Sequence, residues 1–353
     1  MSSNQESENL PPEPAVSAEE LLPPVEPPSA RFILQLFVVP ALIVLAVVVL
    51  WLLVTTVATR GAQDPDKIVK ALRSSNQARW QKAMSLAEML NNPRHAELKR
   101  NSELAGGLAE LLDEEIDAKS TDDNSIQLRY FLCRVLGEFH VDDGSAVLLK
   151  AARQDVERDV RREAINALAV LAHSLHTLEE PQALKHEELV STFTQLAAEE
   201  DNLLRSQAAF ALGIFSEQPG ADPRFTSELE LLVDDLFADA RYNAALALAR
   251  HGNGRAMEAL VEMLDPEAIE LSIAGEQSPA LKTFKCNTIL RNALDGIDVL
   301  LQKNVEVDRS ELLDAVSRFV ENAANWQVAG EIPEALIQRG EKLLQKHSAS
   351  RVR

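Results

Sequence analysis

A frame headed by an arginine recurs four times along the chain, and it restricts the possible fold more than any other feature. Each arginine is followed by small or apolar residues at positions +3 and +6, a leucine at +7 and a small residue at +8. In a helix, these residues lie together on one face. The four arginines, at intervals of 32, 44 and 36 residues, are Arg129, Arg161, Arg205 and Arg241. Such intervals are typical of repeats made of two helices.

The frame predicts the first helix of each repeat, and a second helical stretch follows each copy. The predicted second helices are 145–154, 186–200, 227–238 and 255–264. Acidic residues precede the first helices, where they can cap free amides and face the positive end of the helix dipole. They are Asp123, Asp159, Asp201 and Asp239. Because a single pair would leave an apolar face exposed, the pairs must stack to build a continuous core.

Two of these stretches carry a family resemblance. "LGEFHVDDGSAVLLKAARQDVERDVRREAINALAVLA" and "DARYNAALALARHGNGRAMEALVEMLD" resemble HEAT repeats of the bacterial phycobilisome-lyase-type subgroup. The match is good over 123–265 and looser over 68–90, where Lys82 takes a position that should be small. Beyond 266 the pattern fades, and the helical stretches 284–302 and 310–326 are predicted to form a terminal cap.

The resemblance implies an all-α fold, a right-handed α-solenoid of about five or six helix pairs, over residues 60–353. It also implies convex first helices, second helices that line a concave face, and protein binding far more often than catalysis. The repeat is a structural unit shared by unrelated binding proteins, so the family name does not make this chain a lyase.

The N-terminal region differs from the repeats. Residues 1–31 form an acidic, proline-rich segment that we predict to be disordered, because it cannot bury enough apolar surface to offset chain entropy. Between Arg31 and Arg60 lie 28 residues without a charge. About 20 apolar residues span the hydrocarbon layer as a helix, so 32–59 is predicted to be a transmembrane helix after which the solenoid follows. A cleaved signal peptide is the alternative, and the acidic lead and the overlong apolar run argue against it.

The basic residues near the span predict its orientation. Arg31 lies on the N-terminal side, whereas Arg60, Lys67, Lys70 and Arg73 lie on the C-terminal side. This asymmetry favours a single-pass protein of the cell membrane with a cytoplasmic solenoid and an external tail. The lone Cys133 and Cys286 are predicted to be buried thiols in a reducing compartment.

Charge argues against nucleic acid as a ligand. The formal net charge is -20, and residues 61–353 hold 33 basic against 49 acidic side chains. A strongly acidic body repels phosphate backbones. The acidic run 111–124 lacks the ligand spacing of a calcium loop and is interpreted as a solvated face.

Candidate chemistry is sparse along the sequence. His173, His176 and His186 cluster with glutamates in an insertion between repeats, and we interpret this cluster as a polar loop rather than a metal site. We predict no catalytic residue, no cofactor and no resident metal. The frame arginines are predicted to pair with acidic residues of adjacent units and not to form an anion-binding ladder.

The sequence therefore predicts a membrane-tethered scaffold or adaptor without catalytic activity, binding a protein partner of unknown identity and leaving the oligomeric state open. The candidate partner-binding residues lie on the second helices and are Lys150, Arg153, Glu230, Asp234, Glu258 and Glu262. The alternatives are an enzyme or accessory subunit of the lyase or chaperone type built on the same repeats, and a purely structural envelope component.

Overall fold

The structure is a computed structural model that describes residues 30–62, 65–74, 79–303, 306–326 and 328–348. Within those ranges the chain forms helices and no strand, which confirms the predicted all-α class. The chain divides into two compact units, Met1–Ala62 and Gln63–Arg353. The segment predicted to be disordered, 1–31, lies outside the described residues except for its last two positions.

The first unit contains one long helix. Helix α1 spans Ala30–Ala62, includes Pro40 and is longer at both ends than the predicted 32–59. Its central stretch Leu34–Leu52 is long and apolar enough to cross a membrane, and its side chains are exposed in the described part of the chain. Signal sequences and the core helices of soluble proteins share this length and composition.

The second unit is a stack of helix pairs. We call the helices that carry the frame arginines, together with the looser copy at Arg79, the first helices, and those that follow them the second helices. The first helices are α3 (Arg79–Leu90), α5 (Asp123–Gly137), α7 (Arg158–His176), α9 (Asn202–Ser216) and α11 (Ala238–Arg250). The second helices are α4 (Ser102–Ala118), α6 (Ser145–Gln154), α8 (Leu189–Ala197), α10 (Pro223–Leu232) and α12 (Met257–Glu262).

The stack has further helices at both ends. Helix α2 (Pro65–Arg73) precedes the first pair, and four helices follow the last pair: α13 (Pro266–Ile273), α14 (Pro279–Gln302), α15 (Arg309–Asn322) and α16 (Glu334–Ser348). Short 3-10 segments lie at Pro93–Arg100, Gly254–Ala256 and Ala323–Asn325. Helices α14 and α15 are the two stretches predicted as a terminal cap. They continue the stack, since α14 packs on α11 and α15 packs on α12.

Each first helix packs on the next first helix, from α3 through α5, α7, α9 and α11 to α14. Second helices α4, α6, α8 and α10 each pack on the first helix that follows them as well as on one another. The apolar frame positions of all four copies are buried, so neighbouring units share one continuous core. This is the α-solenoid that the repeat frame predicts.

Small residues at frame position +8 bring first helices into backbone contact. A Cβ added at Gly137 would lie 2.8 Å from the Cα of Ala167, and one added at Gly213 would lie 2.9 Å from the Cβ of Ala247. No side chain fits at either position without a shift of the neighbouring helix. The predicted need for small residues is therefore confirmed at atomic contact.

The acidic residues at the helix starts play two different roles. The carboxylate of Asp201 accepts hydrogen bonds from the amides of Leu203 and Leu204 and caps α9 as predicted. Asp123, Asp159 and Asp239 instead lie inside the first turns of their helices, where a negative charge faces the positive end of the dipole without capping it.

Candidate functional site

Each first helix holds an arginine whose guanidinium joins two units, an arrangement we call the arginine clamp. One arm donates to a backbone carbonyl at the end of the preceding helix, which is α2 for Arg79 and a second helix for the others, and the other arm meets a carboxylate at the end of the second helix of its own pair. The five clamps are Arg79 with the Leu72 carbonyl and Glu115, Arg129 with the Ser120 carbonyl and Asp155, Arg161 with the Ala152 carbonyl and Glu199, Arg205 with the Glu199 carbonyl and Asp235, and Arg241 with the Asp235 carbonyl and Glu262.

The clamp of Arg129 is the most buried. Its Nε donates to Asp155 Oδ2 at 2.8 Å, its Nη2 donates to Oδ1 at 3.3 Å, and the two side chains are 0% and 1% exposed. The Nη1 atom donates to the Ser120 carbonyl and to the Ser125 hydroxyl, each at 2.9 Å. Asp155 also accepts the amide of Glu157, so this one carboxylate serves both the clamp and the start of α7.

The clamps correct one detail of the sequence interpretation. The frame arginines are structural, as predicted, but their carboxylate partners belong to their own unit and only the carbonyl partners belong to the adjacent unit. Carbonyls at a helix C-terminus have no partner within the helix, so a guanidinium that binds them satisfies groups that would otherwise need water. In the fourth clamp the hydrogen bond from Arg205, together with its charge, holds the pKa of Asp235 below its ordinary value although burial acts in the opposite direction.

Two of the predicted partner-binding residues lie on α6 and bridge neighbouring second helices. The Lys150 ammonium lies 2.6 Å from both Asp113 and Asp117 of α4, and these hydrogen bonds raise its pKa. Arg153 meets Glu188 at 2.8 Å, while its buried Nε has no hydrogen-bond partner among the described residues. Both cations are therefore already neutralised by neighbouring helices.

The other four predicted residues lie near α10 and α12. Glu230 accepts a hydrogen bond from Asn253 at 2.6 Å, and Asp234 pairs with Arg255 at 2.6 Å. Glu262 belongs to the clamp of Arg241, so of these four only Glu258 is an exposed carboxylate without an ion pair in the described part of the chain. The residues do not converge on one cavity, and their role in partner binding stays a prediction.

A groove of about 520 Å³ lies on the other row, across α5, α7 and α9. We call it the polar groove, and it is lined by Ile126, Gln127, Tyr130, Asp159, Arg162, Glu163, Asn166 and Gln207. Glu163 and Asn166, two and five positions after Arg161, and Gln207, two positions after Arg205, line this surface. The frame therefore contained the signal for the groove, although the sequence analysis assigned recognition to the second helices.

Glu163 is the distinctive group of the polar groove. Partial burial raises the pKa of its carboxyl above the ordinary value, although the neighbouring Tyr130 and Asn166 side chains and the charges of Arg134 and Arg162 act in the opposite direction. Arg162 pairs with Asp159 instead, at 3.5 Å. Within the described ranges, no basic side chain lies within ion-pair distance of Glu163.

A second groove of about 390 Å³ lies between α9, α11 and α14. We call it the apolar groove, because Leu246, Leu281, Phe284 and Ile289 line it together with polar residues at its rim. Phe284 is 69% exposed and Leu281 is 49% exposed. At the rim, Lys285 pairs with Asp239 at 2.9 Å and with Glu276 at 3.3 Å.

The histidine insertion and the cysteines carry little chemistry of their own. His173 and His176 lie in the last turn of α7, and the His186 ring accepts the amide of Glu188. Among the described residues, no group of three His, Cys, Asp or Glu side chains is placed to hold a metal ion. Both thiols are buried as predicted, and burial raises the pKa of Cys286 to about 11 and holds that of Cys133 well above its ordinary value.

Comparison with known proteins identifies the repeat. Residues 240–266 match the family model of the PBS lyase HEAT-like repeat, which covers α11 with its clamp arginine and α12. The solved structures that resemble the chain include an engineered protein, with 21% identity, a TM-score of 0.40 and coverage of 66% of this chain and 97% of that one. A second is E. coli YibA, with 15% identity, a TM-score of 0.35 and coverage of 80% of this chain and 93% of that one. A third is human deoxyhypusine hydroxylase, with 15% identity, a TM-score of 0.27 and coverage of 83% of this chain and 98% of that one. No curated protein sequence matches the chain.

Proposed function

From a chain built of HEAT-like helical repeats, we propose a membrane-tethered scaffold that binds a protein partner and performs no catalysis. The observation that carries this proposal is that one chain contains both an apolar helix, α1, and a helical stack with two grooves on its first-helix row. A grooved stack of this kind offers an extended surface on which another protein can lie. Tethering raises the effective concentration of a partner at the membrane, which suits a binding module of modest affinity.

The proposed location is the cell membrane, with the solenoid in the cytoplasm and the N-terminus outside. The support comes from the predominantly apolar 19-residue stretch Leu34–Leu52 and from the basic residues that follow the span in the sequence. A retained helix resists extraction by alkaline carbonate, and the mature chain keeps the mass of its N-terminal segment. A released chain that lacks α1 would show a cleaved signal sequence instead. A C-terminal reporter that is active only outside the cytoplasm should stay inactive, and its activity would reverse the orientation.

The scaffold role is tested by photo-crosslinking of the full chain in its native membrane. A crosslinking residue replaces Asn166 in the polar groove, and a matched one replaces Glu258 on the second helices. We expect one dominant heterologous protein from at least one of the two positions. Crosslinks only between copies of this chain would favour a structural polymer and contradict the scaffold. A small-molecule adduct in place of a protein would favour the accessory-subunit alternative.

A further inference from the structure

The first-helix row carries one groove carboxylate, that of Glu163, without an ion pair among the described residues. Ion pairs with basic side chains hold Asp159 in the polar groove and Asp239 and Glu276 in the apolar groove. Glu163 is different, since no basic side chain in the described ranges lies within ion-pair distance of it, although Arg134 and Arg162 are near enough to act on its charge. A partly buried carboxylate is unfavourable unless it is paired with a cation. A cation supplied by a bound molecule would complete the arrangement that the protein leaves open.

The two grooves adjoin on helix α9. Gln207 lines the polar groove and its neighbour Ser206 lines the apolar groove. Side-chain amides follow this line across three helices, because Gln207 Nε2 lies 3.5 Å from Asn166 Oδ1 and Asn243 Nδ2 donates to the Ser206 carbonyl at 3.0 Å. Amide side chains hold both a donor and an acceptor and can therefore serve the main chain of an extended peptide.

Charge and apolar exposure together identify the occupant. The two grooves are lined by four carboxylates, Asp159, Glu163, Asp239 and Glu276, against the two cations Arg162 and Lys285. The exposed faces of Phe284 and Leu281 at the far end offer an apolar contact. We propose that the first-helix row binds an extended segment of a partner protein, with a lysine or arginine side chain against Glu163 and an apolar side chain against Phe284. This inference rests on the proposed scaffold function and names the chemistry of its partner.

The repeat geometry sets the spacing of the two anchors. Glu163 lies on α7 and Phe284 on α14, three helices further along the first-helix row. Packed helices lie about 8–10 Å apart, so the two anchors are separated by about 24–30 Å. An extended chain advances about 3.3 Å per residue. The basic and the apolar side chain of the segment should therefore be separated by about seven to nine residues.

The test uses the full chain in lipid nanodiscs and a displayed library of random peptides of about fifteen residues. Recovered peptides should share a Lys or Arg about seven to nine residues from a large apolar residue. Glu163→Gln and Phe284→Ala should each weaken binding of these peptides at least about tenfold. The matched controls Glu258→Gln on the second helices and Leu236→Ala, an exposed leucine outside both grooves, should change binding less than about twofold.

A peptide whose basic residue is replaced by alanine supplies the decisive comparison. It should bind the native chain and Glu163→Gln equally, because both have lost the same contact. Peptides that bind with no sensitivity to Glu163 or Phe284, or no recovery above empty nanodiscs, would overturn this inference. The scaffold function has a separate test, since a crosslinked partner at Glu258 but not at Asn166 would preserve the function while overturning this binding site.

Discussion

Replacing Arg129 with methionine should destabilise the stack more than any other single clamp substitution. Methionine keeps much of the aliphatic volume but leaves the Asp155 carboxylate, 1% exposed, without its cation. It also removes the donors to the Ser120 carbonyl and the Ser125 hydroxyl. Removal of one partner from a buried ion pair typically costs about 3–5 kcal/mol, because the remaining charge stays buried.

Urea unfolding of the full chain in detergent micelles, followed by far-ultraviolet circular dichroism, measures this loss. Asp155→Asn added to Arg129→Met should restore most of it, because asparagine removes the orphaned charge and its carbonyl oxygen can still accept the Glu157 amide. The control is Arg250→Met, whose pair with Glu217 is 40% and 37% exposed and contributes at most about 1 kcal/mol. A loss at Arg129 no larger than at Arg250, or a double variant no more stable than the single one, would refute the reasoning.

Three further measurements examine the packing, the polar groove and the thiols. Gly137→Ala and Ala167→Leu should each destabilise the chain by about 1–3 kcal/mol in urea unfolding, because their helices are in backbone contact. The control Gly106→Ala, with open space around it, should stabilise the chain by about 0.5–1 kcal/mol. Equal effects at all three positions would contradict the contact. Glu163→Gln should make the folded chain more stable at pH 7. Because the pKa of Glu163 is raised in the folded state, the native chain loses stability as the pH rises through that pKa, and the difference from the variant should disappear below the ordinary pKa of 4.5. The same difference at both pH values would reject this account. Native Cys133 should resist iodoacetamide at pH 8 and react only after denaturation, whereas rapid native labelling would show that α5 opens readily.

The fold could be predicted from the sequence because the spacing of the frame residues places them on one face of a helix. Ala164, Ala167 and Leu168 share a helical face, and burial of that face requires a neighbour with the same pattern. Helix α6 was predicted with its correct bounds, 145–154, because turn residues precede it and an aspartate follows it. Helix α8 is shorter at both ends than the predicted 186–200, and the glutamates at 187–188 and 199–200 lie outside it.

The candidate site was harder to predict because its contacts join residues distant in sequence. The charges of Lys150 and Arg153 suggest recognition, yet their partners lie on neighbouring helices 33 to 37 residues away, where Asp113, Asp117 and Glu188 neutralise them. Glu163 looks like one of many acidic surface residues. Only the packing of α5, α7 and α9 shows that Glu163 lines a groove and that no basic side chain in the described ranges pairs with it.

The arginine clamps also determine how such a chain can change length. Every clamp has the same two attachment points, so the joint between any two units is interchangeable with the next. Excision of residues 161–204 would join Val160 to Arg205 and bring Arg205 to the Ala152 carbonyl that Arg161 now holds. A deletion or insertion that runs from one frame arginine to another thus removes or adds a whole unit and lets the clamp form again. A deletion that does not span a whole repeat would leave a guanidinium without the helix end that it binds.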